Sequence, residues 1–415
     1  MTSTAELARF AAEVSYEGLP ESVREATKRR VLDAVGVGLG SVGREPTGGI
    51  RRAVSVQNAT GRSRLWGSDL GGSPPDAALY DAALVARGNG AVFLSPTLSA
   101  AGGTVAAVLA AAEARSATGE AVLAGLAAGH EVHGELAWNA PIEGFHPATH
   151  GAVAAAAGAA RAAGLDAGEI ENAVGIAAAR ATLAVGDDDF DTLAVGLAAR
   201  AGVDGCLLAE SGVEAPDAIG GTGGWHDLVG PFDLDFDPGC ERVGDAAVRL
   251  FDAHPYAQAS LEAAVELVED AAIDPAEVDA VTVETFADAV PEVTPSAVAA
   301  ALVDRDVTVR PTERADLRPV ADAVEVRADA DLTGRADRGE TPARVTVECR
   351  DGAVHEVETD RFTGHPARPA PWGTVEEKFH ALAAPRYDAE RRTEIVETVR
   401  GLEAETVAEL SRLLD

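Results

Sequence analysis

Apolar residues run through the first 245 positions in long stretches of small side chains with helical spacing. Leu19-Pro20-Glu21-Ser22-Val23 has the form of a helix start, with proline in the first turn and acid beside it. Residues 31–39 are nearly all apolar, which predicts a helix buried on every side. Its Gly36 and Gly38 would let a neighbouring helix approach closely. Segments 77–85, 103–114, 121–136, 151–163, 167–181 and 193–210 continue in the same style.

The pattern changes after about residue 246. Residues 278–284, 323–327, 344–349 and 354–357 alternate apolar and polar positions, the period of a strand. Arg350-Asp351-Gly352 supplies a turn between the last two, so they predict a hairpin. Helical segments at 258–271 and 295–303 sit among these strands. Beyond 366–371 the chain returns to helix, at 375–383 and as one run over 389–414. The expected fold is mainly α. A large all-helical domain spans 1–246, with 372–415 returning to it, and a smaller α+β domain spans 247–371.

Composition sharpens this picture. Hydrophobic residues make up 47% of the 415 positions but aromatics only 4%, so interiors must be lined by alanine and glycine. Asp and Glu number 68 against 34 Lys and Arg, a net charge of −34. That balance argues against nucleic acid and anionic membrane surfaces, both of which need clustered cations. Lys28 and Lys378 are the only lysines, and there is a single Met. Such a composition fits a cytosolic protein from a salt-loving organism, where a Debye length of about 3 Å at 1 M screens self-repulsion.

Cys206, Cys240 and Cys349 form no CxxC pair, which fits a reducing, cytoplasmic location. The first thirty residues lack a signal-peptide core, and Arg161 interrupts the apolar run at 152–163, so no membrane span is expected. Gly220 to Trp225 lacks the strand–loop–helix setting and the Lys-Ser/Thr ending of a phosphate loop. His130, Glu131 and His133 do not have the spacing of a His-Glu-x-x-His zinc helix, and no metal is expected. Trp138 and Trp225 read as packing residues, and Asp187-Asp188-Asp189 as a solvated loop.

A series of short segments, in order along nearly the whole chain, resembles one family. They are Leu19-Pro20-Glu21 with Leu32-Asp33-Ala34-Val35-Gly36, then Leu65-Trp66-Gly67 with Pro75-Asp76-Ala77-Ala78-Leu79. Ala128-Gly129-His130-Glu131-Val132, Gly144-Phe145-His146 followed by Gly151, and Gly196-Leu197-Ala198-Ala199-Arg200 come next. Gln258-Ala259-Ser260-Leu261 and Lys378-Phe379 complete the series. Together they resemble the MmgE/PrpD family, which includes 2-methylcitrate dehydratase, cis-aconitate decarboxylase and iminodisuccinate epimerase.

The resemblance implies a helical body with an inserted α+β lid, a homodimer, and cofactor-free chemistry on small carboxylates. That chemistry removes a proton beside a carboxylate, then expels water or CO₂ or reprotonates the carbon. It needs a placed base, a general acid and cationic partners for the substrate. His146 matches the family's Gly-Phe-His histidine and is the first catalytic candidate, with His254 and Tyr256 as candidates from the lid. His150, Gln258, Ser296 and Asp191 are the candidate substrate-binding positions, with capping or solvation as the alternative for His150.

Several positions depart from the family pattern. Where the family has an Asp-Phe-Asp-Asp loop and a histidine, this chain reads Phe93-Leu94-Ser95-Pro96-Thr97-Leu98-Ser99-Ala100. The family's lysine aligns with Asp191, its lid histidine with Tyr256 (two residues from His254) and its lid tyrosine with Ser296. Two readings follow: a lyase or isomerase with altered chemistry, or a non-catalytic paralogue that keeps fold and dimer.

Overall fold

The computed structural model describes residues 3–57, 61–94, 96–142, 144–180, 184–186, 188–305 and 314–415. Ser95, Ala181 and Asp187 of the segments above lie outside the described residues. The chain divides into two compact units, Met1–Ala246 with Pro371–Asp415, and Ala247–Ala370.

The first unit opens with α1 (Thr4–Glu13), α2 (Glu21–Ser41), α3 (Thr47–Gln57), α4 (Pro74–Arg87) and α5 (Gly102–Glu113). It continues with α6 (Gly119–Asn139), α7 (Ala148–Ala162), α8 (Ala167–Arg180), α9 (Asp188–Glu210) and the short α10 (Trp225–Val229). Two-residue strands pair antiparallel between helices: β1 (Ser63–Arg64) with β2 (Gly71–Gly72), and β3 (Val92–Phe93) with β4 (Ser99–Ala100). A further short strand, β5 (Ala246–Ala247), falls at the boundary between units.

Local chemistry starts these helices where they start. Ser3 and Glu6 form a capping box at α1, each side chain bonding the other's backbone N–H. The Ser73 hydroxyl accepts from the Asp76 N–H ahead of α4, whose first turn holds Pro74 and Pro75. Small residues then let helix axes approach. A Cβ on Gly36 would meet Phe379 at 3.0 Å, and one on Gly38 would meet the Trp66 ring at 2.7 Å. At the α6–α7 crossing, a Cβ on Gly125 would lie 2.5 Å from the Gly158 carbonyl oxygen. Backbone cannot yield there as a flexible side chain would. Gly125→Val is therefore expected to destabilise the unit by about 1–3 kcal/mol, the range for overpacked interiors, read as a lowered urea midpoint.

The second unit carries α11 (Gln258–Asp270), β6 (Val278–Thr285), α12 (Pro295–Asp304), α13 (Arg318–Ala321) and β7 (Val324–Ala328). It ends with α14 (Ala330–Ala336), β8 (Ala343–Cys349) and β9 (Val354–Thr359). The sheet order is β7-β6-β8-β9, with β7 parallel to β6 and the other neighbours antiparallel. Val281, Val283, Val345 and Val347 lie in one core with Leu261 and Val268 of α11 and Val298 of α12. The strand period thus buries one face. Elsewhere on the sheet Arg344 pairs with Glu284 and Glu358 at 2.9 and 2.7 Å, in half-buried surface ladders worth about 0–1 kcal/mol each. The Asp-Gly turn between β8 and β9 places Gly352 at φ +87°, where a side chain would be strained.

The chain then rejoins the first unit through α15 (Trp372–Ala383), α16 (Ala389–Arg400) and α17 (Val407–Arg412). The single helix expected over 389–414 is two. The chain turns at Gly401, and Thr406 and Glu409 make a new capping box. This break lets Gly119 N–H donate to the Glu405 carbonyl at 2.8 Å, closing the tail onto the start of α6. Both lysines fasten α2 to the tail. Lys28 pairs with Glu403 at 2.8 Å, and buried Lys378 pairs with buried Asp33 at 2.6 Å.

Among the described residues, one helix is long and apolar enough to cross a bilayer, at Asp189–Glu210 within α9. Within that stretch the most apolar window is 67% buried inside the protein, as for a core helix.

Candidate functional site

His146 sits in the turn before α7, one residue ahead of Pro147. Its side chain is only 10% exposed, and its Nε2 lies 3.0 Å from Asp191 Oδ1. Asp191, in the first turn of α9, is 53% exposed, and among the described residues its side-chain partner is His146. The other ring nitrogen of His146, Nδ1, accepts the Ala148 N–H at 3.0 Å. Phe190 stands edge-on to the imidazole, with ring centroids 6.5 Å apart. Two positions from different parts of the sequence, one matched to a family histidine and the other to a family lysine, are therefore brought into one hydrogen-bonded pair.

Behind this pair lies a buried group of imidazoles. His133 shares a hydrogen bond with the Ser99 hydroxyl at 2.8 Å, and His130 Nδ1 bonds the Leu126 carbonyl at 2.8 Å. His150 is fully buried in α7, and neither of its ring nitrogens has a partner among the described residues. Its ring lies 6.0 Å from that of Trp225. This arrangement is neither the capping nor the solvation expected for His150, since α7 turns the ring into the unit. Burial pushes His130 and His150 down to about 4, and His133 well below the ordinary histidine value.

Beside these rings is a small recess of about 10 Å³, room for about one water, lined by Ala100, Thr104, Ala148, Gly151, Val195 and Ala199, among others. Thr104 Oγ1 is buried there without a partner among the described residues.

Glu131 faces away from the histidines. Its carboxylate accepts the Asp237 and Arg242 N–H groups at 3.0 Å each, and burial pushes it up to about 7. Glu135, one turn on, pairs with Arg242 at 2.6 Å. Trp138 is not a packing residue: it is 55% exposed, with the Arg242 guanidinium 5.5 Å above its ring. Trp225 is buried. Asp188 and Asp189 open α9 rather than a loop, and Asp189 is exposed.

In the second unit, His254 Nδ1 accepts the Tyr256 N–H at 3.3 Å, and the two rings stand edge to face at 5.1 Å. Burial lowers His254 to about 4, with Arg249 adding to the shift, and raises the Tyr256 hydroxyl. Gln258 is fully buried. Its carboxamide accepts from Phe251 N–H and donates to the Phe251 carbonyl, both at 3.0 Å, and also reaches the Ala253 and His254 carbonyls. It therefore holds the loop that carries His254. Ser296 is exposed in the first turn of α12, 3.4 Å from the Thr294 hydroxyl.

Sequence reasoning missed a repeated turn. His146-Pro147, His254-Pro255 and His365-Pro366 each place Nδ1 on the N–H two residues ahead, the last reaching Ala367 at 3.1 Å. The His-Pro dipeptide was the available signal. The pairing of Ser99 with His133 has none, since their approach depends on how β4 packs against α6.

Family models match both portions of the chain: the MmgE/PrpD N-terminal domain over residues 5–234, and the MmgE/PrpD C-terminal domain over residues 251–403. A comparison with curated proteins finds no match. With both family domains present in order over most of its length, and with a helical unit and a smaller α+β unit to correspond, this chain belongs to the MmgE/PrpD family.

Proposed function

We propose that this protein acts on a small carboxylic acid without a cofactor, moving a proton on the carbon beside the carboxylate and completing an elimination or an epimerisation. Members of the family are generally lyases or isomerases. The observation that carries the reading is the His146–Asp191 pair, a proton donor and a proton acceptor 3.0 Å apart with the carboxylate half open to solvent. The substrate class follows from charge. Asp191 stands where the family pattern has a cation, and two like charges at about 4 Å repel by about 4 kcal/mol under partial burial. A tricarboxylate is disfavoured, and a smaller or less anionic acid fits better. We read the net charge of −34 as adaptation to concentrated salt in the cytosol, so assays belong in molar KCl.

A second reading, the non-catalytic paralogue, is favoured by one observation. Both lysines of the chain are buried in ion pairs between α2 and the tail, so neither presents an ammonium to a substrate.

A thermal-shift screen of small carboxylic acids separates the two readings. The enzyme reading expects at least one acid to raise Tm in the wild-type chain and His146→Ala to abolish that shift. No stabilising acid, together with no turnover of 2-methylcitrate, citrate or cis-aconitate, favours the paralogue.

A further inference from the structure

We propose that Asp191, not His146, is the group that accepts the substrate proton, and that His146 is a positioning residue fixed in one tautomer. This inference rests on the enzyme reading above and assigns the roles within that same site. A backbone N–H is always a donor, so the Ala148 N–H can meet His146 Nδ1 only when that nitrogen carries no proton. The neutral ring must then carry its proton on Nε2, the atom 3.0 Å from Asp191 Oδ1. Pro147 gives this turn its shape, because the residue before a proline is held in extended geometry and the ring is left facing the N–H beyond it. The same turn at His254-Pro255 and His365-Pro366 shows that the device belongs to the dipeptide and not to one site.

A histidine held this way has no lone pair free for a substrate proton. Nδ1 is occupied by Ala148, and Nε2 points its proton at a carboxylate. The open acceptor is Asp191, whose Oδ1 is held by His146 while Oδ2 has no partner among the described residues. Its side chain is 53% exposed against 10% for the imidazole, so it is also the member of the pair that a solute can reach.

The step balances with solvent water as the only other participant. Asp191 Oδ2 takes the proton from the carbon beside the substrate carboxylate, and the C–H electron pair moves into that carboxylate as an enolate. In an epimerisation the pair returns to carbon with a proton from water on the opposite face, and Asp191 gives the proton it took to solvent. In an elimination it expels a β-hydroxyl, which leaves as water with the proton Asp191 had acquired. His146 keeps its own proton throughout.

Long-range ¹H–¹⁵N correlation on the histidines, with His146 assigned by its loss in His146→Gln, tests the tautomer without reference to activity. Protonated Nε2 and bare Nδ1 are expected, and the reverse overturns the inference. Proton transfer is read by deuterium entering the carbon beside the carboxylate of citrate, malate and aspartate in D₂O. Asp191→Asn should lower that exchange by about 100-fold or more, as for loss of a general base. His146→Gln, which keeps a donor near the Nε2 position, should retain most of it. His146→Asn, which keeps only the turn, should not. Exchange that survives Asp191→Asn but is lost in His146→Gln overturns the assignment. If the wild-type chain shows no exchange, the acceptor role falls with the enzyme reading, and the tautomer alone reports whether the hydrogen-bond geometry was right.

Discussion

Lys378→Met is expected to cost about 3–5 kcal/mol, the range for breaking a buried ion pair by removing one partner. The Lys378 ammonium and Asp33 are 3% and 1% exposed, and Nζ also donates to the Asn89 carbonyl at 2.9 Å. Without it the Asp33 carboxylate stays buried without its ion-pair partner, and its Oδ2 already lacks a hydrogen-bond partner among the described residues. Lys378 lies in α15 and Asp33 in α2, so the substitution loosens the tail from the body. At about 2 °C per kcal/mol for a unit of this size, Tm should fall by about 6–10 °C. Lys378→Met combined with Asp33→Leu should recover more than half of that loss, since replacing both members of a buried pair removes the stranded charge. A single variant as stable as wild type would show that the pair contributes little.

His150→Leu should stabilise the protein, and by more as the pH falls. Among the described residues neither nitrogen of this buried ring has a partner, a deficit worth about 1–3 kcal/mol, and leucine of similar volume removes it. Acid adds a second contribution. The ring titrates near 6.5 when unfolded and at about 4 in the fold. Above 6.5 both states are neutral and the fold loses nothing. Below 6.5 the unfolded chain takes up a proton that the fold refuses, so stability falls by up to about 1.4 kcal/mol per pH unit until about pH 4.

Other groups contribute to the wild-type curve. His130 acts in the same direction. Glu131, raised to about 7, acts in the opposite one, because its contribution is full below 4.5 and is lost as the pH rises through 7. The quantity to measure is therefore the difference between variant and wild type in urea unfolding at pH 7.5, 6 and 5. It should be positive and widen on acidification. A flat or negative difference would mean that the ring is partnered, by water or by a ligand.

Much of the architecture was legible because small-residue periodicity is a strong signal over long helices. The apolar run at 31–39 became the buried half of α2, and its glycines face Phe379 and Trp66. The alternating segments became β6 to β9, and the Asp-Gly dipeptide made the turn between the last two. The tail was misread as one helix because its apolar spacing continues across Gly401, where Thr406 and Glu409 reset the chain. The α1 helix was also missed, although Ser3 and Glu6 carry the capping-box spacing in the sequence itself.

The site was less legible. Residue types and family position marked His146 and Asp191 separately. Their hydrogen bond needs the starts of α7 and α9 to meet, which no spacing of 45 residues encodes. His150, four residues beyond His146, read as a cleft residue or as capped or solvated. It lies inside α7, whose packing buries it completely, whereas His146 stays in the turn ahead of the helix. Gln258 looked like a substrate donor, but its carboxamide is consumed by the loop before it.

The most direct test of proton chemistry in this chain is solvent deuterium uptake by small carboxylic acids at catalytic concentrations of wild-type protein in molar KCl. The expected result is deuterium on the carbon beside one carboxylate, gained many times faster than in protein-free buffer. An acid that raises Tm through His146 yet gains no deuterium under the same conditions would contradict it, leaving a binding protein on an enzyme's fold.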